Sequence, residues 1–373
     1  MDTLEPGKNT GLIAPKIEPF DFVAGAETGI VYEVREEDGD WEKYKPTDEW
    51  QRRFVNGSKG YDTMSCVTFS ALNSIESQIE YMLAKNLIPT STVTTMRDLG
   101  YFDSNGRVNF SDWYTALDSG TTENGNSLQK VGDSIRTHGL IPAGMGYVPN
   151  DFTSGADWFD KIRFTEAMKD TAKKFLEMFS VKYEWAITSP NVAAQDQFTY
   201  HLKQSPVQVA TPTCTGWNTK DGIVPNCGEY KRLNHATTVI GIKEDEYYKD
   251  LDHYTPFVKK LAWDYYVPVG FKYVVTLKTP VVPPPEISYH WSRTLTVGSV
   301  GEDVTALQKV LLIEVPGDFK ATATGGFYSW TKKGVIALQE KYAQEILAPL
   351  GLTHGTGFVG AATLKWLNVH YGA

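Results

Sequence analysis

The stretch KTPVVPPPEISYH, residues 278–290, limits what this chain can fold into more than any other. Four prolines fall within six positions (280, 283, 284 and 285). They fix φ, remove backbone donors and favour an extended spacer, which neither a helix interior nor a central strand tolerates. Two separately cored units are therefore expected, one long and one short. The boundaries read as an N-terminal extension (1–45), a main domain (46–278), a linker (279–291) and a C-terminal domain (292–373).

In the long unit, Phe69, Leu72, Ile75, Ile79, Met82 and Leu83 recur every three or four residues, so Ser65–Leu87 reads as a helix. SLQKVGDSIRTH (127–138) reads as a second, stopped by Gly139, and FTEAMKDTAKKFLEMF (164–179) as a third. GIVYEVREE (29–37) has a strand-like pattern, and VQVAT, ATTVIGI and GFKYVVTL between 205 and 278 are short and β-branched. Helices first and strands later predict an α+β fold.

A net charge of −9 argues against nucleic-acid or anionic-membrane partners, which need concentrated positive charge. No apolar run approaches the roughly 20 residues needed to span a bilayer, and the N-terminus lacks a secretory signal's basic-then-apolar layout. Cys214 and Cys227 sit 13 apart in a Gly/Asn/Pro-rich loop, where a disulfide and two free thiols are equally open readings.

Cys66 is the remaining cysteine. It follows Thr63 and Ser65, both good N-cap types, at a predicted helix start, where partial positive charge lowers a thiol's pKa. A buried structural cysteine is the alternative there. His235 opens the strand LNHATTVIGI about 170 residues later, the order expected of a Cys–His pair assembled across two subdomains. His138, His201, His253, His290, His354 and His370 lie in helices, loops or the tail and rank lower.

SCVTFSALNSIE resembles the nucleophile helix of papain-like cysteine peptidases (S-C-x-x-F-S-A), and LNHATTVIGI resembles their histidine strand. DEWQRR (48–53) and GTTENGNSLQKVGDSIRTHGLIP (120–142) match more loosely; together the likeness spans about residues 40–278. It implies a two-subdomain fold, helical on one side and β-barrel-like on the other. It also implies a thiolate mechanism with Cys66 as nucleophile, His235 as base, and no metal or cofactor. The family's third residue is an Asn about 16 positions after the His. Here Asp252 stands 17 after, in D-H-Y, with Asp264 as runner-up. Gly125 matches the family's glycine that binds substrate backbone. Gly60 stands where the family has its oxyanion-hole Gln, leaving Asn56, Ser58, Gln51 or a backbone amide as the second donor. The roughly 50 residues before the nucleophile loop look shorter than the family's usual inhibitory pro-region. Trp217 and Trp263 are read as cleft or core.

Residues 292–371 carry three glycine turns, each before an amphipathic stretch, with Thr as an expected N-cap, and predict a small all-α three-helix domain. L-x-V-G-S-x-G-E-D-V-x-x-L-Q resembles a peptidoglycan-binding domain, with Val304, Leu307, Leu311, Phe327, Leu338, Phe358 and Leu367 as core and Gly298, Gly301 and Asp303 as turn and cap. The resemblances together imply a cysteine peptidase acting on protein or peptidoglycan stem peptides, held at peptidoglycan by its tail. Its expected place is extracellular, cell-wall or virion-associated. The alternative is a non-catalytic structural or binding protein on the same fold. Small cell-wall amidases fit poorly, since their glycine-rich nucleophile surroundings are absent.

Overall fold

A computed structural model describes residues 3–16, 33–55, 58–143, 152–188, 193–228, 230, 232–278, 287, 289–315, 319 and 323–372. The chain divides into two units, Met1–Thr279 and Pro280–Ala373, each with its own core.

The first unit is α+β. Its helices are α1 (Cys66–Ala84), α2 (Thr90–Asp98), α3 (Asp112–Asp118), α4 (Leu128–His138), α5 (Gly155–Phe159), α6 (Glu166–Met178) and α7 (Ala193–Leu202). A two-stranded hairpin, β1 (Arg52–Val55) and β2 (Ser58–Asp62), precedes α1. The remaining strands are β3 (Phe179–Ile187), β4 (Val207–Thr211), β5 (Ile223–Val224), β6 (His235–Lys243), β7 (Tyr247–Leu251), β8 (Val258–Ala262) and β9 (Val269–Leu277). They form one sheet in the order β3-β9-β4-β6-β7-β8-β5, antiparallel except for β5 beside β8.

The three predicted helices form, but α1 is more than an amphipathic surface helix. Every residue from Cys66 to Met82 except Asn73 is buried. Its apolar stripe joins the main core, while its polar stripe is buried against hydrogen-bond partners, which is the condition for burying such groups at all. Glu76 accepts from Phe110 N (2.8 Å) and Glu80 from Val108 N (2.6 Å). On the sheet side, Thr238 Oγ1 donates to Ser70 O (2.8 Å), Gln208 Nε2 to Val67 O (2.8 Å) and Gln78 Nε2 to Tyr273 O (3.1 Å). These ties fix the start of α1 relative to the start of β6. The strand expected at 29–37 lies outside the described residues up to 32, and residues 33–36 are not a strand. Arg35 N and Glu36 N instead donate to Lys203 O. Cys214 and Cys227 are disulfide-bonded, with Cα atoms 5.7 Å apart.

The second unit is all-α: α8 (Glu302–Glu314), α9 (Ser329–Lys341), a single turn α10 (Ala343–Ile346) and α11 (Ala361–Tyr371). The expected N-cap threonines do something else. Gly301, Tyr328 and Gly360 hold the N-cap positions. Thr331 and Thr363 are the third residues of α9 and α11, buried and gripped by glutamines from α8 and α9 respectively. Gln308 donates to Thr331 Oγ1 (3.0 Å) and Gly326 O (2.9 Å) while accepting from Gly325 N (2.9 Å). Gln339 repeats this with Thr363 Oγ1 (3.1 Å), Phe358 O (2.8 Å) and Gly357 N (3.0 Å). Phe358, expected in the core, is 45% exposed. In this extended stretch successive side chains alternate, and Val359, paired with Leu295, takes the inward position.

Candidate active site

Cys66 is the first residue of α1, buried and free of disulfide bonding. Ser65 is the N-cap, but its hydroxyl donates to Thr63 O (2.8 Å) and does not cap the helix. His235 opens β6 and is fully buried. The register between β6 and β7 pairs Thr238 with Leu251, and one further step sets Asp252 opposite Thr237. Alternate residues of a strand share a face, so Asp252 and His235 become diagonal neighbours on one side of the sheet. Their side chains meet at 2.8 Å, Asp252 Oδ1 to His235 Nε2. Asp264, the runner-up, is exposed and lies beside Asn226.

Four donors converge on Asp252. Oδ1 receives His235 Nε2 and the backbone N of His253 (2.7 Å); Oδ2 receives Trp217 Nε1 (3.0 Å) and Lys259 Nζ (2.8 Å). Burial alone would raise this carboxyl, but Lys259 and His235 outweigh it and hold Asp252 well below the usual carboxylate range. Trp217 thus has a definite place, whereas Trp263 stacks on Tyr248 at 4.9 Å. His253 packs against both His235 (4.9 Å) and Phe69 (5.3 Å). Burial holds it down to about 3, so it is a neutral aromatic plate at ordinary pH.

Of the candidates for the second oxyanion donor, Gln51 is the one whose side-chain amide is described beside Thr10 and the start of α1. Of the alternatives, Asn56 and the side chain of Ser58 lie outside the described residues. Gln51 precedes Cys66 by 15 residues, but the β1–β2 hairpin folds the intervening chain away. Thr63 Oγ1 then donates to Gln51 O (3.0 Å), next to the start of α1. Asp62 Oδ1 accepts from Gln51 Nε2 (2.7 Å) and orients the amide. Spacing alone could not find it, because an inserted hairpin changes sequence distance without changing position.

The cleft is occupied by the chain's own N-terminus. Asn218 Nδ2 donates to Leu4 O (2.7 Å), and Gly7 N to Thr213 O (2.9 Å). Thr10 N donates to Asn234 O (3.0 Å), and Asn126 N to Gly11 O (2.8 Å). Ile13 N donates to Asn126 O (2.8 Å), making a parallel bridge at Leu12. Gln51 Nε2 points at Thr10 O (2.6 Å). Gly125 has φ +88°, and a Cβ there would lie 2.0 Å from Gly11 O, so only glycine admits the segment. Gly125 itself bonds to Thr122 through both its N and its O; it leaves room for Gly11, whose carbonyl is bound by Asn126 N. The leading residues, read as shorter than the family's usual inhibitory pro-region, place residues 4–13 in the cleft. An extended chain covers roughly 3.3 Å per residue, so ten residues reach about 30 Å.

Thr10 stands at the reactive point. Its hydroxyl lies 2.6 Å from His235 Nδ1 and 3.1 Å from Asn234 O, and its influence on the Cys66 thiol is to lower its pKa. With Nε2–H given to Asp252, Nδ1 can accept the Thr10 hydroxyl proton. Burial pushes Cys66 up to about 12, and the bonds from Thr10 and the Ala236 backbone offset only part of that. Burial therefore opposes the lowering expected at a helix start. Desolvation outweighs the partial charge of a helix end.

Beside Met64 the cleft opens into a cavity of about 710 Å³ lined by Asp62, Met64, Gly120–Asn124, Gly155, Ala156, Phe159 and Lys161. No helix among the described residues is long and apolar enough to cross a membrane.

No family model and no curated protein matches the chain. Among solved structures, it is similar to xylellain, a cysteine protease from Xylella fastidiosa. The TM-score is 0.45 and the identity 13%, over 74% of this chain and 97% of that one. A digestive procathepsin L 3 from Tenebrio molitor larval midgut gives 0.42 and 14%, over 72% and 75%. Bromelain from Ananas comosus, solved with the inhibitor E64, gives 0.38 and 14%, over 63% and 97%. At these values the likeness carries no weight of its own.

Proposed function

We propose that the chain is a latent papain-like cysteine peptidase: Cys66 is the nucleophile, His235 the base, Asp252 its orienting partner and Gln51 the oxyanion donor. The observation that carries this reading is the convergence of Gln51 Nε2 and His235 Nδ1 on one residue, Thr10, at the thiol of Cys66. A carbonyl oxygen held by an amide donor beside a thiol and an imidazole is the arrangement that acyl transfer needs.

Once Thr10 leaves, His235 takes the Cys66 proton and the thiolate attacks a substrate carbonyl carbon. Negative charge develops on the carbonyl oxygen, where Gln51 Nε2 and the backbone N–H of Cys66 receive it. The Cys66 N–H, at the first helical position, has no i−4 partner within the helix. The C–N bond breaks as His235 returns the proton to the leaving amine, and water, deprotonated by His235, then releases the acyl group from sulfur. Asn126 offers the backbone edge that Gly11 now uses, Gly125 leaves room beside it, and the neighbouring cavity takes a substrate side chain.

The substrate is a protein or a peptidoglycan stem peptide, and the C-terminal unit holds the enzyme at peptidoglycan outside the cell or on a virion. What supports this part is the motif in the tail together with exposed apolar residues in its glycine turns, Val297, Val300, Tyr328 and Phe358, and Trp330 in the first turn of α9. A non-catalytic binding protein has the occupied cleft in its favour. Both are tested by opening the cleft with Gly11→Ala and following hydrolysis of a mixed peptide library by mass spectrometry. Cleavage that disappears in Gly11→Ala/Cys66→Ala supports the peptidase; an accessible Cys66 with no cleavage product favours the inert fold. Co-sedimentation of the full chain with purified peptidoglycan, weakened by Trp330→Ala, tests the tail; recovery in the soluble fraction overturns that assignment.

A further inference from the structure

The family resemblance puts a neutral amide behind the histidine, whereas this chain has a carboxylate, Asp252. An unbalanced buried carboxylate 2.8 Å from His235 Nε2 would hold the imidazole in its protonated form. Such a histidine gives up its proton to a leaving amine reluctantly and is a poor base towards water. Lys259 removes the difficulty. It is 2% exposed, and its Nζ lies 2.8 Å from Asp252 Oδ2, on the side away from His235. The Tyr254 carbonyl (3.0 Å) and the Pro256 carbonyl also accept from it, and it sits 5.6 Å from the Trp217 ring centre.

We propose that Lys259 is a positioning residue for His235, acting through Asp252: its ammonium cancels the carboxylate, so the imidazole meets a neutral partner and keeps its proton mobile. Asp252 and Lys259 together then do what a single amide does, with the fixed geometry of four donors on one carboxylate. The other charged or titratable groups around this pair do not replace Lys259. His253 is neutral, held down to about 3, and Asp250 on β7 is uncharged at neutral pH because burial lifts it to about 8. Burial keeps Tyr254 and Tyr265 protonated. Asp62 is engaged by Arg52 and the Tyr254 hydroxyl, and Cys66 is a thiol. His235, Asp252 and His253 present ligand atoms within 4.8 Å of one another, but the ammonium of Lys259 already supplies the cation at this carboxylate.

The test is a charge cycle on the full chain, read by NMR of ¹⁵N-labelled histidine side chains, with His235 assigned by its loss in His235→Gln. Lys259→Met should raise the midpoint of His235 protonation by about one pH unit or more, the scale of one uncompensated charge at this range. Asp252→Asn leaves Lys259 unbalanced and should lower it. Asp252→Asn/Lys259→Met should return it close to the wild-type value, with the two shifts cancelling rather than adding. Lys259→Met leaves a buried carboxylate without its cation and can fail to fold. In that event the comparison of Asp252→Asn with the double variant decides. If those two share one midpoint, His235 does not feel Lys259, and the proposal is wrong. This inference rests on the peptidase reading only for its consequence, because the titration needs no turnover. A chain that cleaves nothing yet shows the cycle refutes the peptidase and keeps the charge pairing.

Discussion

Gly11→Ala is the perturbation that bears most directly on latency. Gly11 has φ +110°, and a Cβ there would lie 1.9 Å from Met64 O and 2.2 Å from Met64 C. Both are backbone atoms next to the nucleophile helix, so no rotamer change relieves the clash, and φ itself is one that L side chains rarely adopt. One of the two backbones must shift, and residues 10–12 are expected to leave the cleft. With the segment in place Cys66 is held near 12, which leaves about one thiolate in 10⁵ at neutral pH. A cysteine freed beside an imidazole typically falls to about 7 or below, which raises the thiolate fraction by four to five powers of ten. Thiolate nucleophilicity falls with pKa at a slope of about 0.4–0.5, which takes back roughly two of those powers. The net expectation is alkylation of Cys66 by iodoacetamide faster by about 10² to 10³ in Gly11→Ala. Without reductant, Cys214 and Cys227 stay paired, so Cys66 is the single reactive site and intact mass reads the rate. A rate unchanged from wild type would show that Thr10 does not gate the thiol. An increase that persists in Gly11→Ala/His235→Ala would reflect exposure alone and refute the Cys–His pair.

Gln51→Ala in the Gly11→Ala background should lower kcat by about 10² to 10³ with KM little changed, the loss seen when an oxyanion donor is removed; an equal rise in KM would instead mean that Gln51 binds substrate. His253 and His201 titrate near 6.5 when unfolded but are held down to about 3 by burial. Below 6.5 the unfolded chain takes up protons that the native state refuses, so stability falls as pH drops from 6.5 towards 3, by roughly 1.4 kcal/mol per pH unit for each histidine. His253→Phe keeps the stacking on Phe69 and should remove one histidine's share of that slope in urea unfolding across the same window; an unchanged slope would place His253 in water.

The α+β class, the three helices recognised by period and the strands at 207–211, 235–243 and 269–277 were legible in the sequence because each carries its own local pattern. Cys66, His235 and Asp252 were legible as types in the right order, and the β6–β7 register brings the last two together. Other features left no local trace. Gln51 reaches the site only because a hairpin closes on itself, and the α1 polar stripe is buried only because Phe110 and Val108 offer it backbone donors. Lys259 looks like any lysine in the run V-K-K until folding sets it behind Asp252.

The sequence by itself determined which residues can do chemistry, because side-chain type and local periodicity belong to the chain. Whether they do it was decided by tertiary structure. Burial raises Cys66, Lys259 offsets Asp252, and an N-terminal segment some 55 residues ahead of the nucleophile lies across it. Desolvation and charge pairing depend on what is near in space, and a linear pattern does not record that.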